Sequence, residues 1–317
     1  MNSSIFGKKF ILIIIGAVVI YSIFLIFSDI NTVYDKLKNF DTQFLPLILL
    51  TIFSSWMVLF VRWHIILRSS NIKIPLKNNI LIYLAGFTFS ISPIKSGELI
   101  KSILLKNQFD VKRTTSAPLV LIERFYDIIG TIAIALLGIT FLGFEYIPVL
   151  FVVLILSFLV IFLIYSKSNF KYILRIFNKI TFLKKFSLSL ENSQTSIRTS
   201  LNKKTAICSS ALTILYRFVE AIGIYLVFLS LGINLINYFE LAAMYSMSVI
   251  LGSVSMLPGG LGVTEGSFAG LISFYGLDFS TALVVAVIVR FFTLWYGVGI
   301  GFLALKLNGG LNLNNTN

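Results

Sequence analysis

The sequence contains only one cysteine and one histidine in 317 residues. Cys208 alone cannot form an internal disulfide or a cysteine-cluster metal site. His64 alone excludes every mechanism that needs two imidazoles. Charged residues are also scarce, at 12% of the chain, whereas a soluble domain has about a quarter. Because a soluble protein needs charge to cover its surface, this scarcity excludes an ordinary soluble domain.

Hydrophobic residues, by contrast, make up 57% of the chain, and the mean hydropathy is +0.93. This composition predicts an all-α polytopic membrane protein that lies almost entirely within or beside the bilayer. A transmembrane helix needs about 20 apolar residues. Six stretches approach or exceed this length and predict full spans, namely residues 10–27, 44–61, 117–141, 146–165, 205–231 and 281–305.

Two further apolar regions, residues 79–105 and 239–276, are interrupted near their middle by proline, glycine and charge. Each is predicted to be a re-entrant hairpin of broken helices that enters and leaves the membrane by the same face. Eight or more full spans are the alternative. The sequence thus predicts one membrane domain with halves at about 44–142 and 205–305, a basic cytoplasmic loop at 166–204 and a polar tail at 306–317.

The 26 basic residues outnumber the 13 acidic ones, which in a soluble chain would suggest a nucleic-acid partner. With a cytoplasmic N-terminus, however, six spans and two hairpins place most basic residues inside and leave Lys36 and Lys38 outside. The second span then returns the chain to the cytoplasm at Arg62, Arg68, Lys73 and Lys77. This bias predicts a plasma-membrane protein with both termini cytoplasmic and no nucleic-acid partner. We interpret loop 166–204 as a topology signal, with a patch for anionic lipid as the alternative.

The two interruptions match each other. Each has a serine three residues before a proline, a glycine four residues after it and a glutamate shortly beyond. An arginine follows 31 residues after the first proline and 32 residues after the second. Because the first hairpin opens inward and the second outward, the two halves are predicted to be inverted repeats. The apex residues are Pro93 and Gly97 in the first hairpin and Pro258, Gly259, Gly260 and Gly262 in the second.

Breaks at mid-membrane depth leave backbone groups unpaired, and these are tolerated only where they line a cavity or are buried in protein. Half-helix N-termini also present positive dipole ends that suit an anionic group. The paired breaks therefore indicate a binding site. The alternative is that the glycines and prolines are kinks that serve helix packing.

Eight charged residues fall within apolar stretches, where each costs roughly 2.5–3.5 kcal/mol at a helix centre. They are Glu98, Glu123, Arg124, Asp127, Arg217, Glu220, Glu265 and Arg290. Helical spacing pairs Arg217 with Glu220, which we interpret as a structural ion pair. Arg124 and Asp127 have the same spacing, and Glu123 lies on the same face as Asp127.

Arg290 has no acidic residue within four positions, so its partner must come from another helix or from a bound anion. Glu98 and Glu265 are the candidate partners. Because a guanidinium suits phosphate, we expect Arg290 and Arg124 to flank an anionic head group, with the two glutamates holding them or contacting a cation. The alternative is a closed salt-bridge network between the halves. His64 is predicted to be an interfacial anchor.

Two stretches resemble the lysylphosphatidylglycerol synthase transmembrane-region family. They are Pro-x-x-x-Gly-Glu with Glu-Arg-x-x-Asp over residues 93–127, and Leu-Pro-Gly-Gly-Leu-Gly-x-x-Glu over residues 257–265, followed by Arg290. The resemblance runs from about residue 79 to the end. Ile94-Lys95-Ser96 departs from the Gly-Arg-Ala-like residues usual there. Lys101 stands where arginine is usual, so positive charge is kept.

The resemblance implies translocation of a lipid, with aminoacylated phosphatidylglycerol or lipid-linked sugars as cargoes and the intramembrane charges, including Lys101, as binding residues. A transporter of a small soluble anion and a non-catalytic partner of a lipid-modifying or glycosylation complex are the alternatives. The soluble aminoacyl-transferase domain of the full-length synthases is absent from these 317 residues, so no synthase activity is expected. No metal or cofactor is expected either, and the expected partners are anionic membrane lipids and a lipid-modifying enzyme.

Overall fold

The structure of the protein is a computed structural model that describes residues 30–92, 97–142, 202–255 and 257–310, together with residue 155. These residues are helical and contain no β-strand. The α-helices are α1 (Ile30–Lys38), α2 (Leu45–Ser69), α3 (Leu76–Ala85), α4 (Ile100–Phe109), α5 (Arg113–Leu142), α6 (Lys203–Ser230), α7 (Tyr238–Val254), α8 (Val263–Ser273), α9 (Phe279–Arg290) and α10 (Tyr296–Leu307).

Side-chain caps define where several of these helices begin. Asn202 accepts a hydrogen bond from the backbone N–H of Thr205 at 2.9 Å and so begins α6. Asn237 and Glu240 form a reciprocal capping box at the start of α7. Asp278 caps α9 in the same way as Asn202 caps α6. Polar residues at the predicted boundaries thus satisfy the otherwise unpaired N–H groups of these apolar helices.

Among the residues that the structure describes, three helical segments are long and apolar enough to cross a membrane, which agrees with a polytopic membrane protein. They are Thr42–Ser69, Lys203–Ser230 and Phe279–Leu307. Helix α5 has 30 residues and is about 45 Å long at 1.5 Å per residue, although it carries three charges near its middle. The predicted spans at 44–61, 117–141, 205–231 and 281–305 are therefore helical, whereas those at 10–27 and 146–165 lie outside the described residues.

One sequence-based placement is wrong. The prediction returned the chain to the cytoplasm at Arg62, but α2 continues for seven more residues to Ser69. Arg62 consequently lies inside the helix and is fully buried. Close to it along the helix, Nδ1 of His64 lies 2.9 Å from the amide nitrogen of Asn79. Asn79 in turn accepts a hydrogen bond from the indole of Trp63.

Both interrupted regions contain a break between helices. In the first, α3 passes into a 3-10 turn at Gly86–Phe89 and the chain resumes as α4, while Pro93 lies outside the described residues. In the second, the 3-10 turn Pro258–Gly260 separates α7 from α8. Gly259, Gly260 and Gly262 there have φ values of 62°, 67° and 85°. Such left-handed conformations favour glycine, so this turn depends on its three glycines.

The helices of the two predicted halves pack in a reciprocal way. Helices α2 and α6 pack against each other. Helix α5, which follows the first hairpin, packs against α7 of the second. Helix α10, which ends the second half, packs against α3 and its 3-10 turn in the first hairpin. A π-helical turn at Phe291–Trp295 joins α9 to α10 directly after Arg290.

Candidate functional site

Six charged side chains from α2, α4 and α5 and from the turn before α4 form a single buried cluster, here called the first cluster. Its cations are Arg62, Lys101 and Arg124, and its acids are Glu98, Glu123 and Asp127. Among the described residues, three positive charges of the cluster thus face three negative ones. This balance matters because an uncompensated charge in such an interior is strongly destabilising.

Arg124 lies between two carboxylates of the first cluster. Its Nη2 is 2.9 Å from Oε2 of Glu98, and its Nη1 is 2.8 Å from Oδ2 of Asp127. Arg62 approaches Asp127 from the other side, with Nη1 2.6 Å from Oδ1. The pairing of Arg124 with Asp127 follows the spacing in the sequence, whereas its pairing with Glu98 joins α5 to the first hairpin.

Lys101 lies between Glu98 and Glu123. Its ammonium is 3.3 Å from Oε2 of Glu98 and donates a hydrogen bond to Oε2 of Glu123. Two aromatic faces complete its surroundings, since Nζ lies 4.6 Å from the ring centre of Trp63 and 5.3 Å from that of Tyr83. The two glutamates thus share one ammonium in a site closed off by aromatic rings.

The members of the first cluster differ in exposure. The side chains of Arg62, Lys101, Glu98 and Glu123 are at most 2% exposed, whereas Arg124 is 19% exposed and Asp127 16%. Within the described part of the chain, Nε of Arg124 and Oε1 of Glu123 are buried and make no hydrogen bond. Arg124 and Asp127 therefore form the accessible side of an otherwise closed network, which still has unused donor and acceptor atoms.

A second cluster lies at the break in the second hairpin. Nε of Arg290 is 2.9 Å from Oε1 of Glu265, and its Nη2 donates a hydrogen bond to the backbone carbonyl of Gly259. Oε2 of Glu265 accepts a hydrogen bond from the backbone N–H of Gly262 at 2.8 Å. Glu265, one of the predicted partners, thus pairs with Arg290. The arginine thereby fixes the turn that the three glycines make possible.

A third set of contacts links the two halves. Arg217 pairs with Glu220 at 2.6 Å, as spacing predicts, and also donates to Thr131 of α5 at 2.7 Å. Arg62 donates to Thr213 of α6 at 2.8 Å. Each arginine thus reaches a threonine of the opposite half. Among the described residues, these two hydrogen bonds join the predicted halves, whereas the ion pairs of Arg62 and Arg217 lie within their own predicted half.

The two predicted halves carry the same pairing. In each half a glutamate just beyond the helix break binds an arginine of the following long helix, with an N–O distance of 2.9 Å. The pairs are Glu98–Arg124 and Glu265–Arg290. The first pair lies in the first cluster and the second pair in the second cluster. The first cluster also contains Arg62, which the sequence did not predict as a site residue.

Comparison with known proteins places these features in a family. Residues 13–301 match the family described as the lysylphosphatidylglycerol synthase TM region. A UPF0104 membrane protein of Pyrococcus horikoshii is 26% identical, over 94% of this chain and 97% of its own length. A UPF0104 membrane protein of Methanocaldococcus jannaschii is 26% identical, over 64% of this chain and 86% of its own length. One of Methanothermobacter thermautotrophicus is 25% identical, over 68% of this chain and 69% of its own length. The chain is therefore a membrane protein that belongs to the lysylphosphatidylglycerol synthase TM region family.

Proposed function

We propose that this protein translocates an anionic lipid, either a phospholipid or a lipid-linked head group, across the plasma membrane. The observation that carries the proposal is Arg124. This guanidinium is held between Glu98 and Asp127 at 2.9 and 2.8 Å, yet it reaches the accessible side of the cluster. A buried arginine needs a negative partner at all times, but a phosphate can replace a carboxylate as that partner.

The chemistry of the exchange favours phosphate. A guanidinium offers parallel donors that match phosphate as well as carboxylate, so one anion can displace the other with little loss of hydrogen bonding. Nε of Arg124 adds an unused donor. Glu98 and Asp127 thus keep Arg124 charged and positioned while no cargo is bound.

A lipid is a better candidate cargo than a small soluble anion because much of the described surface is apolar. Large hydrophobic side chains on α2, α5, α6 and α10 are exposed, among them Leu50, Leu137, Ile207 and Leu303. Such a surface suits contact with acyl chains. A head group reaching Arg124 can keep its acyl chains in the surrounding lipid.

The proposed architecture has two inverted halves, with six full spans and two re-entrant hairpins, and both termini in the cytoplasm. The reciprocal packing of α5 on α7 and of α10 on α3 supports it. The matched Glu98–Arg124 and Glu265–Arg290 pairs support it as well. Inverted halves can open one central site to the two membrane faces in turn, as alternating access requires. We therefore propose a transporter rather than an enzyme.

Replacing Arg124 with alanine is expected to slow head-group translocation about tenfold or more, since charged hydrogen bonds contribute about 1.5–3 kcal/mol. The measurement is the rate at which a fluorescent phosphatidylglycerol in proteoliposomes becomes inaccessible from the outside. Arg113→Ala is the matched control, because Arg113 lies at the exposed start of the same helix. It should keep the wild-type rate within about twofold, in line with the small effects of surface substitutions.

Each variant is first checked by size-exclusion elution and thermal unfolding in detergent, so that a folding defect is not counted as lost transport. Equal rates for folded Arg124→Ala and wild type would refute the role of Arg124. If folded wild type moved no phospholipid but took up a small anion such as inorganic phosphate, the soluble-anion function would replace the lipid one.

A further inference from the structure

Thr213 on α6 connects the second predicted half to the first cluster. Its hydroxyl donates a hydrogen bond to the backbone carbonyl of Ser209, one helical turn earlier, at 2.7 Å. Because this bond uses the only proton of the hydroxyl, the oxygen acts as an acceptor towards Arg62, whose Nη1 donates to it at 2.8 Å. The same Nη1 donates to Oδ1 of Asp127 at 2.6 Å. Thr213 and Asp127 therefore share one donor atom of Arg62.

Thr131 on α5 makes the equivalent contacts in the opposite direction. Its hydroxyl donates to the backbone carbonyl of Asp127 at 2.6 Å and accepts a hydrogen bond from Nη2 of Arg217 on α6 at 2.7 Å. Arg217 is itself held by Glu220 at 2.6 Å. The two arginine–threonine hydrogen bonds thus lead to the same residue, one to the carboxylate of Asp127 and the other to its backbone carbonyl.

Helices α5 and α6 approach each other closely at this point. A Cβ atom at Gly130 would lie 2.4 Å from Cγ2 of Thr213 and 3.1 Å from its carbonyl carbon. Thr213 is fully buried and Thr131 is 3% exposed, so bulk water cannot replace either hydroxyl as an acceptor. The positions of Arg62 and Asp127 consequently depend on how α6 lies against α5.

Asp127 also holds the arginine that we propose to bind the head group. Its Oδ2 lies 2.8 Å from Nη1 of Arg124, and these two side chains are 16% and 19% exposed. A binding group that is already oriented loses less conformational freedom when its ligand arrives, and the ligand binds more tightly for that reason. Any displacement of Asp127 therefore changes how well Arg124 is prepared for a head group.

We propose that Thr213 and Thr131 are positioning residues for head-group binding, through which the second predicted half sets the orientation of Arg124. This inference rests on the proposed function and specifies how its site is regulated. A movement of α6 against α5 breaks the arginine–threonine hydrogen bonds, releases Asp127 and weakens the binding of the head group at Arg124. Two arrangements of these helices with different affinities are what a transporter needs in order to bind its cargo at one membrane face and release it at the other.

Isosteric variants test the role of the hydroxyls. Thr213→Val keeps the shape of the side chain and removes the hydroxyl. We expect it to raise the dissociation constant of dihexanoyl phosphatidylglycerol for the purified full-length protein about fivefold, the effect of one typical hydrogen bond. Thr131→Val should act in the same direction. The measurement is isothermal titration calorimetry well below the melting temperature of each variant.

The controls keep either the hydroxyl or the substitution. Thr213→Ser and Thr131→Ser retain the hydroxyl, so their dissociation constants should stay within about twofold of wild type. Thr205→Val repeats the valine substitution at a buried threonine near the start of α6. It should also stay within about twofold, because the proposal gives Thr205 no part in positioning Arg124.

A double-variant cycle tests whether Thr213 acts through Arg124. Thr213→Val alone should slow translocation of a fluorescent phosphatidylglycerol in proteoliposomes about fivefold. With Arg124→Ala already present, the same substitution should slow it by less than about twofold more, because no arginine is left to position. A loss that comes only from weaker helix packing would be equally large in both backgrounds.

Folding of every variant is checked by size-exclusion elution and thermal unfolding. Wild-type dissociation constants in both valine variants overturn the inference, as do serine variants that bind as weakly as the valine ones, or an equal loss in both backgrounds of the cycle. If this happens while wild type moves the lipid and Arg124→Ala slows it, the proposed function stands and only the positioning role is refuted. Folded wild type that neither binds nor moves the lipid overturns both proposals.

Discussion

Replacing Arg62 with methionine is expected to lower the free energy of unfolding by about 3–5 kcal/mol, the range for breaking a buried ion pair. Arg62 is fully buried and lies 2.6 Å from Asp127 and 3.7 Å from Glu123. Without the guanidinium, the first cluster holds three carboxylates and two cations. The loss therefore comes from an unbalanced buried charge as well as from the missing hydrogen bonds to Asp127 and Thr213.

The measurement is unfolding in mixed detergent micelles, with Arg68→Met as the matched control. Arg68 lies on the same helix but is exposed in its last turn, so its replacement should change stability by less than about 0.5 kcal/mol. Adding Asp127→Asn to Arg62→Met restores the charge balance and should recover part of the loss. Equal stabilities for the Arg62 and Arg68 variants would contradict a structural role for Arg62.

The sequence predicts the local features of this site well. Both helix breaks occur where proline and glycine interrupt an apolar run, and the Arg124–Asp127 and Arg217–Glu220 pairs occur where helical spacing allows them. These features depend on residues a few positions apart along one helix. Intrinsic geometry fixes such contacts before any tertiary packing is known.

The contacts between different helices could not be predicted in the same way. Arg62 lies 65 positions from Asp127 along the chain. The apolar stretch that predicts the second span ends just before Arg62, whereas α2 continues to Ser69. The partner of Arg290 was equally undetermined, since Glu98 and Glu265 follow equivalent breaks. Only the packing of α9 against α8 brings Glu265 to the arginine. Long-range pairing of buried charges is decided by helix packing, which spacing along the chain does not encode.

Replacing Gly301 with alanine is expected to destabilise the protein by about 3 kcal/mol, the upper end of the range for overpacking. Gly301 lies on α10 where this helix crosses the first hairpin. A Cβ atom there would be 2.3 Å from the backbone nitrogen of Thr88 and 2.8 Å from the carbonyl carbon of Phe87. Because both atoms belong to the backbone, no side-chain rotation relieves the clash, and α10 must move away from the hairpin.

Gly299 provides the matched control two residues away on the same helix. A Cβ atom at Gly299 has no heavy atom within 4 Å, so Gly299→Ala should leave stability unchanged or raise it by up to about 1 kcal/mol through helix propensity. Thermal unfolding of both variants in the same detergent compares them directly. A large loss in Gly301→Ala alone supports the close packing of the second half's last helix on the first hairpin. Similar melting temperatures for the two variants would mean that α10 does not approach the hairpin backbone this closely, and the reciprocal packing that supports inverted halves would lose one of its two contacts.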